Sequence, residues 1–63
     1  MCEARVIVRK CEAERTIMEE ASSVVVEDGG RLVVRGILGE SVEVTGTIER
    51  VDLAGSLIVI RER

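Results

Sequence analysis

The fold of this chain is decided by residues 41–50, which read SVEVTGTIER. In an extended chain, Val42, Val44 and Ile48 fall on one side, whereas the glutamate and threonine side chains fall on the other. This alternation is typical of a β-strand that buries one face. Gly46 interrupts the apolar side, where we expect a bulge or a sharp curl of the strand.

Further strands are expected on both sides of this segment, because short apolar runs alternate there with turn sequences. Residues 23–27 and 31–35 flank Asp28-Gly29-Gly30, which favours a hairpin because glycine tolerates positive φ. Residues 57–60 form the last predicted strand. The first one, residues 2–9, carries an apolar face made of Cys2, Ala4, Val6 and Val8. The remaining turns are expected at Gly36, Gly39 and Gly55.

Residues 10–21 fit two structures. Ala13, Ile17 and Ala21 recur at i, i+4 and i+8, as in an amphipathic helix. Thr16-Ile17-Met18 could equally form a short strand after a charged turn. The sequence pattern leaves both open.

The whole chain, residues 1–63, is expected to form one small β domain. Seventeen of its twenty-one Val, Ile and Leu residues are β-branched, which favours strands. We therefore predict an all-β fold, a small curled sheet or barrel of about five to seven short antiparallel strands. Its size is that of SH3 or Sm domains, and its order is a meander of hairpins.

Three segments are apolar on both faces, namely residues 24–26, 32–34 and 57–60. A small barrel has only one interior, so the surplus must be covered or remain as an exposed patch. A second copy of the chain is the commonest cover, and we predict a homodimer. The competing explanation is that residues 10–21 lie over some of these strands.

The charge pattern argues against several function classes. The net charge is −3 and there is no aromatic residue, so the chain lacks both the basic patch and the stacking platform of nucleic-acid binders. An RNA-binding barrel remains an alternative only if six basic residues gather on one face: Arg5, Arg9, Lys10, Arg31, Arg35 and Arg50. We see no membrane-spanning stretch and no secretory signal, and expect a reducing cytoplasm.

Met1-Cys2 carries the only sequence feature that suggests chemistry. If Met1 is removed, Cys2 offers a thiolate, an α-amine and a backbone amide, a set that Ni(II) accepts in a square plane. The alternative is that Cys2 is simply packed as a small hydrophobe. If residues 2–10 form one extended strand, Cys2 and Cys11 lie about 30 Å apart, so a disulfide or shared metal site within one chain requires the chain to fold back sharply. The rival is a Cys₄ site built from both cysteines of two chains, which would prefer Zn(II).

No enzyme is predicted. The acidic residues Glu12, Glu14, Glu19 and Glu20 could suggest acid–base catalysis, but a barrel this small has little room for a catalytic pocket. We expect these side chains to be solvated, Met18 to pack in the interior, and Glu40 and Asp52 to cap turns. A structural adaptor, with Cys2 as packing, is a further alternative.

Particular residues resemble the CooT family. They are the Met1-Cys2 start, the Gly39-Glu40 turn, Val51-Asp52-Leu53 and the closing Ile58-Val59-Ile60. The resemblance implies a homodimeric small β-barrel that binds nickel and assists maturation of carbon monoxide dehydrogenase. It implies that Cys2 from each of two chains shares one Ni(II), and that residues 10–21 form a loop and a short strand. Relatives have also been described as RNA-binding, although fold analogy is weak support for a function.

Overall fold

The computed structural model describes residues 3–63, and these residues form an all-β domain, as predicted. It has five strands: β1 (Ala4–Lys10), β2 (Ala13–Glu27), β3 (Arg31–Gly36), β4 (Ser41–Asp52) and β5 (Leu57–Glu62). The predicted Asp28-Gly29-Gly30 hairpin is a single 3-10 turn between β2 and β3. Gly29 and Gly30 have φ values of 80° and 81° there, so the turn uses the freedom that only glycine has at no steric cost.

The strands follow one another around a closed barrel in the order β1-β2-β3-β4-β5. Each consecutive pair is antiparallel, which confirms the meander. The closing pair, β1 with β5, is parallel. The expectation of purely antiparallel strands is therefore wrong at this one seam. The reason is parity: in a meander every strand reverses direction, so the first and fifth strands point the same way.

Residues 10–21 agree only in part with the loop and short strand that the CooT resemblance implies, because a turn of two residues leads into a strand that is long. β2 is one continuous strand of 15 residues, and the helix alternative is wrong. Its first half pairs with β1 and its second half with β3, while Ala21 pairs with both Ala4 and Gly36. Intervals of four and eight residues are multiples of the two-residue period of a strand, and they are also close to multiples of the 3.6-residue period of a helix. It therefore fits one face of a strand as well as it fits a helix.

The core lies inside the barrel and is entirely aliphatic apart from one methionine. Its buried members in contact are Val6, Val8, Met18, Ala21, Leu32, Val34, Val44 and Ile60. Val42 and Ile48 pack against them, so the inward face predicted for residues 41–50 is confirmed. Met18 packs in the interior as expected.

Gly46 lies where two strands come closest. An added Cβ would collide with the carbonyl oxygen of Arg61 in β5, so only glycine fits without a backbone shift. The irregularity in the pairing of β4 with β5 falls between Ile48 and Arg50. The predicted bulge thus exists but lies beyond Gly46, and the glycine serves the close approach.

The homodimer was predicted from segments that are apolar on both faces, and part of this apolar surface is buried within a single chain. Val33 lies outside the core cluster, between Val25 and Glu43 of the neighbouring strands, yet only 9% of it is exposed. Val25 and Val26 remain exposed. Residues 13–20 pair beside β1 and do not cover these strands. The homodimer remains a prediction. Residues 3–63 contain no helix of the length and apolarity needed to span a membrane.

Candidate functional site

The barrel has two ends of different character. β1 and β5 are parallel neighbours, with Arg5 beside Leu57 and Arg9 beside Arg61, so both strands start at one end and finish at the other. We call the end where they start the cleft end. The other, where Cys11 and Glu12 connect β1 to β2, is the hairpin end.

The cleft end contains an open cleft of about 260 Å³ whose exposed lining is mostly apolar. The start of β1, the middle of β2 and the β4–β5 turn form its walls. The lining residues are Glu3, Ala4, Ala21, Ser22, Ser23, Val24, Val51, Asp52, Leu53, Ser56, Leu57 and Ile58. Two of its walls carry small side chains: Ala4 on β1, and the three consecutive residues Ala21, Ser22 and Ser23 on β2.

The β4–β5 turn is fixed by its own polar groups. The Gly55 N–H donates to Asp52 Oδ1 at 2.9 Å, which confirms that Asp52 caps this turn. Arg50 donates to the other carboxylate oxygen at 3.3 Å. The N–H of Arg5 donates to the Ser56 carbonyl at 2.8 Å and so joins the turn to β1. Leu53, at the tip, is 86% exposed.

The β3–β4 turn has a similar design. Glu40 accepts a hydrogen bond from the Leu38 N–H at 3.1 Å, so the predicted capping role of Glu40 is also confirmed. Gly36 donates to the Glu40 carbonyl at 2.8 Å, and Gly39 adopts a φ of 92°. Leu38, at the tip, is 84% exposed. The Ile37 N–H donates to the Glu20 carbonyl of β2 at 3.1 Å.

The predicted metal ligand, Cys2, lies outside the described residues. One peptide bond joins it to Glu3, which lines the cleft. Cys11 is described: it is a free, exposed residue in the turn at the hairpin end, as expected for an ordinary turn position. β1 separates Glu3 from Cys11, and its seven residues span about 20 Å at ~3.3 Å per residue. Within one chain, Cys11 is therefore remote from the start of β1.

Acidic side chains do not assemble into a metal site in the part of the chain that the structure describes. Among residues 3–63 no three His, Cys, Asp or Glu side chains come together as metal ligands. Glu12, Glu14, Glu19 and Glu20 are all exposed, as expected for solvated charge.

The basic residues named for an RNA-binding face do not gather. Arg5, Arg9 and Lys10 lie on β1, Arg31 and Arg35 on β3, and Arg50 on β4, with β2 between the first two strands. Three of them contact acids: Arg9 pairs with Glu14 and Glu49, Arg31 with Glu27 and Glu43, and Arg50 with Asp52. The hydrogen bond and charge of Glu27 raise the pKa of Arg31 above its usual value. These pairs place negative charge beside the cations that RNA phosphates would need.

Sequence reasoning missed the cleft and the two exposed leucines. A usable indication was present, because Leu38 and Leu53 are large apolar residues inside turns rich in glycine. Turn residues are usually polar and solvated. A leucine side chain in such a turn is exposed to solvent unless another surface covers it.

Comparison with known proteins agrees with this architecture. A crystal structure of a CooT assigned to Carboxydothermus hydrogenoformans is similar in fold, with a TM-score of 0.85 and 21% sequence identity over 98% of each chain. No curated protein matches the chain. The family model described as "CO dehydrogenase accessory protein CooT" matches residues 1–61. The chain therefore belongs to the CooT family of CO dehydrogenase accessory proteins, which are not themselves enzymes.

Proposed function

We propose that this protein binds Ni(II) through Cys2 and supplies it during maturation of CO dehydrogenase, with one metal ion shared by two chains. The family supports a role in maturation of that enzyme. The observation that supports the nickel proposal is that Glu3, the residue bonded to Cys2, lines an open cleft at the end of the barrel opposite Cys11. Nickel is here the cargo of the protein.

The ligand set is nitrogen and sulfur. When Met1 is removed, Cys2 contributes its thiolate together with the α-amine or its backbone amide. Two chains then supply two sulfur and two nitrogen atoms, which suits square-planar Ni(II). A site made by two chain termini stays accessible from outside, as transfer to another protein requires.

Nickel uptake is expected to depend on pH. A free thiol has a pKa of about 8.5 and an α-amine one of about 7.7–8.0, and both groups must lose their protons to bind metal. Each binding event therefore releases protons. Affinity should fall steadily as the pH drops below about 8.

A nickel titration tests the proposal with a matched pair of cysteine variants. The reduced protein, with Met1 processing checked by mass spectrometry, is titrated with Ni(II) and its absorption followed. We expect a thiolate-to-nickel charge-transfer band that saturates at one metal per two chains. Cys2→Ser should abolish it, whereas Cys11→Ser, the control, should leave it unchanged.

Two results would contradict the proposal. Undiminished nickel affinity in Cys2→Ser would remove Cys2 from the site. Equal losses in both variants, with Zn(II) bound more tightly than Ni(II), would indicate instead a tetrahedral Cys₄ site shared between chains.

A further inference from the structure

We propose that the free edge of β2, residues 13–19, binds an extended segment of another protein by strand addition, and that this segment alternates basic with apolar residues. The free edge is the side of β2 that does not pair with β1. The inference goes beyond the proposed function, because it requires neither nickel nor Cys2. It identifies a second surface of the barrel and the chemistry of the partner that fits it.

The edge is free because β2 is much longer than β3. β2 has 15 residues and β3 has six. β3 pairs with β2 only over Ala21–Glu27, whereas β1 pairs with it over Ala13–Ala21. Among the residues that the structure describes, 13–19 therefore have backbone partners on one side alone. Such an edge presents a row of N–H and C=O groups to which another strand can bond.

The β3–β4 turn marks one end of the free edge. Ile37 directly follows β3, and its N–H donates to the Glu20 carbonyl at 3.1 Å, one residue before β3 pairing begins at Ala21. The chain then turns away through Leu38. An added strand would continue the line that β3 leaves, over a length of about 23 Å at ~3.3 Å per residue.

Part of the edge has the regular geometry that strand addition needs. Over Ala13–Thr16, each residue of β2 is in register with one residue of β1. The register first shifts between Thr16 and Met18, where β2 carries the additional residue Ile17. Because a bulge bends the strand that contains it, we expect the added strand to pair best with Ala13–Thr16.

The charge of the edge selects a basic partner. Residues 12–20 contain four glutamates and one arginine, whereas the rest of the chain has eight basic and eight acidic residues. This segment therefore carries the whole net charge of −3. Glu12, Glu19 and Glu20 are exposed, and none of them forms an ion pair with another described residue. Like charges opposite each other destabilise a strand pair, so the edge disfavours a second copy of itself and favours a basic segment.

Apolar side chains beside the edge explain the alternation. Ile17 is half-buried in β2, and Ile37 and Leu38 are 41% and 84% exposed in the turn where the edge ends. Successive side chains of an added strand point to opposite faces, so one set packs against apolar surface while the other reaches the glutamates. Backbone hydrogen bonds then give affinity, and the alternating side chains give specificity.

The experiment uses the reduced, metal-free, isotope-labelled protein and a blocked peptide, Lys-Val-Lys-Val-Lys-Val-Lys, that is as long as the free edge. NMR titration gives the dissociation constant, and amide hydrogen exchange shows which N–H groups become bonded. We expect shift changes and new protection within residues 13–20. The same peptide with Glu in place of Lys should not bind. A peptide with Pro at the central Val should bind about 10-fold more weakly, because proline removes a strand hydrogen bond without changing the charge.

Two charge reversals in the protein locate the contact. Glu19→Lys changes the free edge, whereas Asp28→Lys makes the same change of charge in the turn between β2 and β3. We expect the dissociation constant of the lysine peptide to rise about 5-fold in Glu19→Lys. Asp28→Lys should match wild type, and circular dichroism should show that both variants are folded.

Each other outcome overturns the inference. No binding of the lysine peptide would mean that the edge accepts no basic strand, and equal binding of the proline peptide would mean that charge alone attracts it. Equal losses in Glu19→Lys and Asp28→Lys, or shift changes centred outside residues 13–20, would place the contact elsewhere. Protection of residues 13–19 that needs no peptide and grows with protein concentration would make a second copy the occupant. The nickel titration is separate from all of these results, because it depends on Cys2.

Discussion

The hairpin end and the cleft end of this barrel differ in the length of their connections and in how closely their strands pack. At the hairpin end two residues, Cys11 and Glu12, connect β1 to β2, and β5 presses against Gly46 so closely that no side chain fits between them. At the cleft end the connection from β4 to β5 takes four residues and the walls carry small side chains. Backbones are therefore packed closely at Gly46, near the hairpin end, whereas the cleft end leaves apolar surface uncovered.

In a chain without aromatic residues or histidine, this difference places the closest packing at one end and the exposed apolar surface at the other. Close packing at one end tolerates no added atoms. At the cleft end a polar cap, Asp52, holds a turn that displays Leu53 to solvent. Substitutions should consequently have unequal effects at the two ends.

The largest effect is expected for Gly46→Ala, at the hairpin end. The new Cβ would meet the Arg61 carbonyl oxygen, and backbone cannot move aside as a flexible side chain does. We expect a loss of about 3 kcal/mol in the free energy of unfolding. A domain of this size has only roughly 3–9 kcal/mol in total. Urea denaturation followed by circular dichroism measures the loss.

Gly55→Ala, at the cleft end, is the control for that substitution. Its Cβ would lie 3.2 Å from the Asp52 carboxylate, which can move, and its φ is not positive. The cost should stay below about 0.5 kcal/mol. Similar costs at Gly46 and Gly55 would show that the hairpin end is not the tighter of the two.

A smaller effect is expected for Asp52→Ala. It removes the acceptor of the Gly55 N–H and the partner of Arg50, both exposed, so the loss should be about 1 kcal/mol. Asp52→Asn keeps a carbonyl acceptor, so its loss in the free energy of unfolding should be about half that of Asp52→Ala. Limited proteolysis should cut Asp52→Ala first within residues 52–56. Cleavage that begins elsewhere would mean that the carboxylate does not order the turn.

The smallest effect should be stabilising. Cys11 has a φ of 57° and Ser56 one of 53°, in the left-handed region that asparagine adopts more readily. Replacing either with Asn should raise the free energy of unfolding by about 0.5 kcal/mol. Equal gains at Cys11 and Ser56 would indicate that the backbone is equally strained at the two ends of the barrel, even though the two ends differ in packing. Thermal unfolding of the single variants and of the double variant gives the comparison.

Much of the fold could be read from local patterns. Alternation predicted the inward faces of β1 and β4, because side chains on a strand alternate whatever else surrounds them. Asp28-Gly29-Gly30 predicted a turn for a reason contained within three residues. The resemblance to CooT, carried by Met1-Cys2 and Val51-Asp52-Leu53, predicted the family, which the comparison confirms.

Other features could not be read locally. β2 was ambiguous because its apolar spacing satisfies a helix and a strand alike, and pairing with two different neighbours decided between them. The cleft depends on which small residues meet across strands far apart in sequence, such as Ala4 and Ala21. No pattern within either segment predicts that contact.

The sequence by itself determined where most strands and turns fall and which side of those strands is apolar. These properties depend on the period of a strand and the φ preference of glycine. Only the tertiary structure decided that β1 and β5 close the barrel in parallel, that Gly46 faces the backbone of β5, and that Leu53 stands beside an open cleft. Each of these depends on contacts between distant segments, which exist only once the barrel has closed.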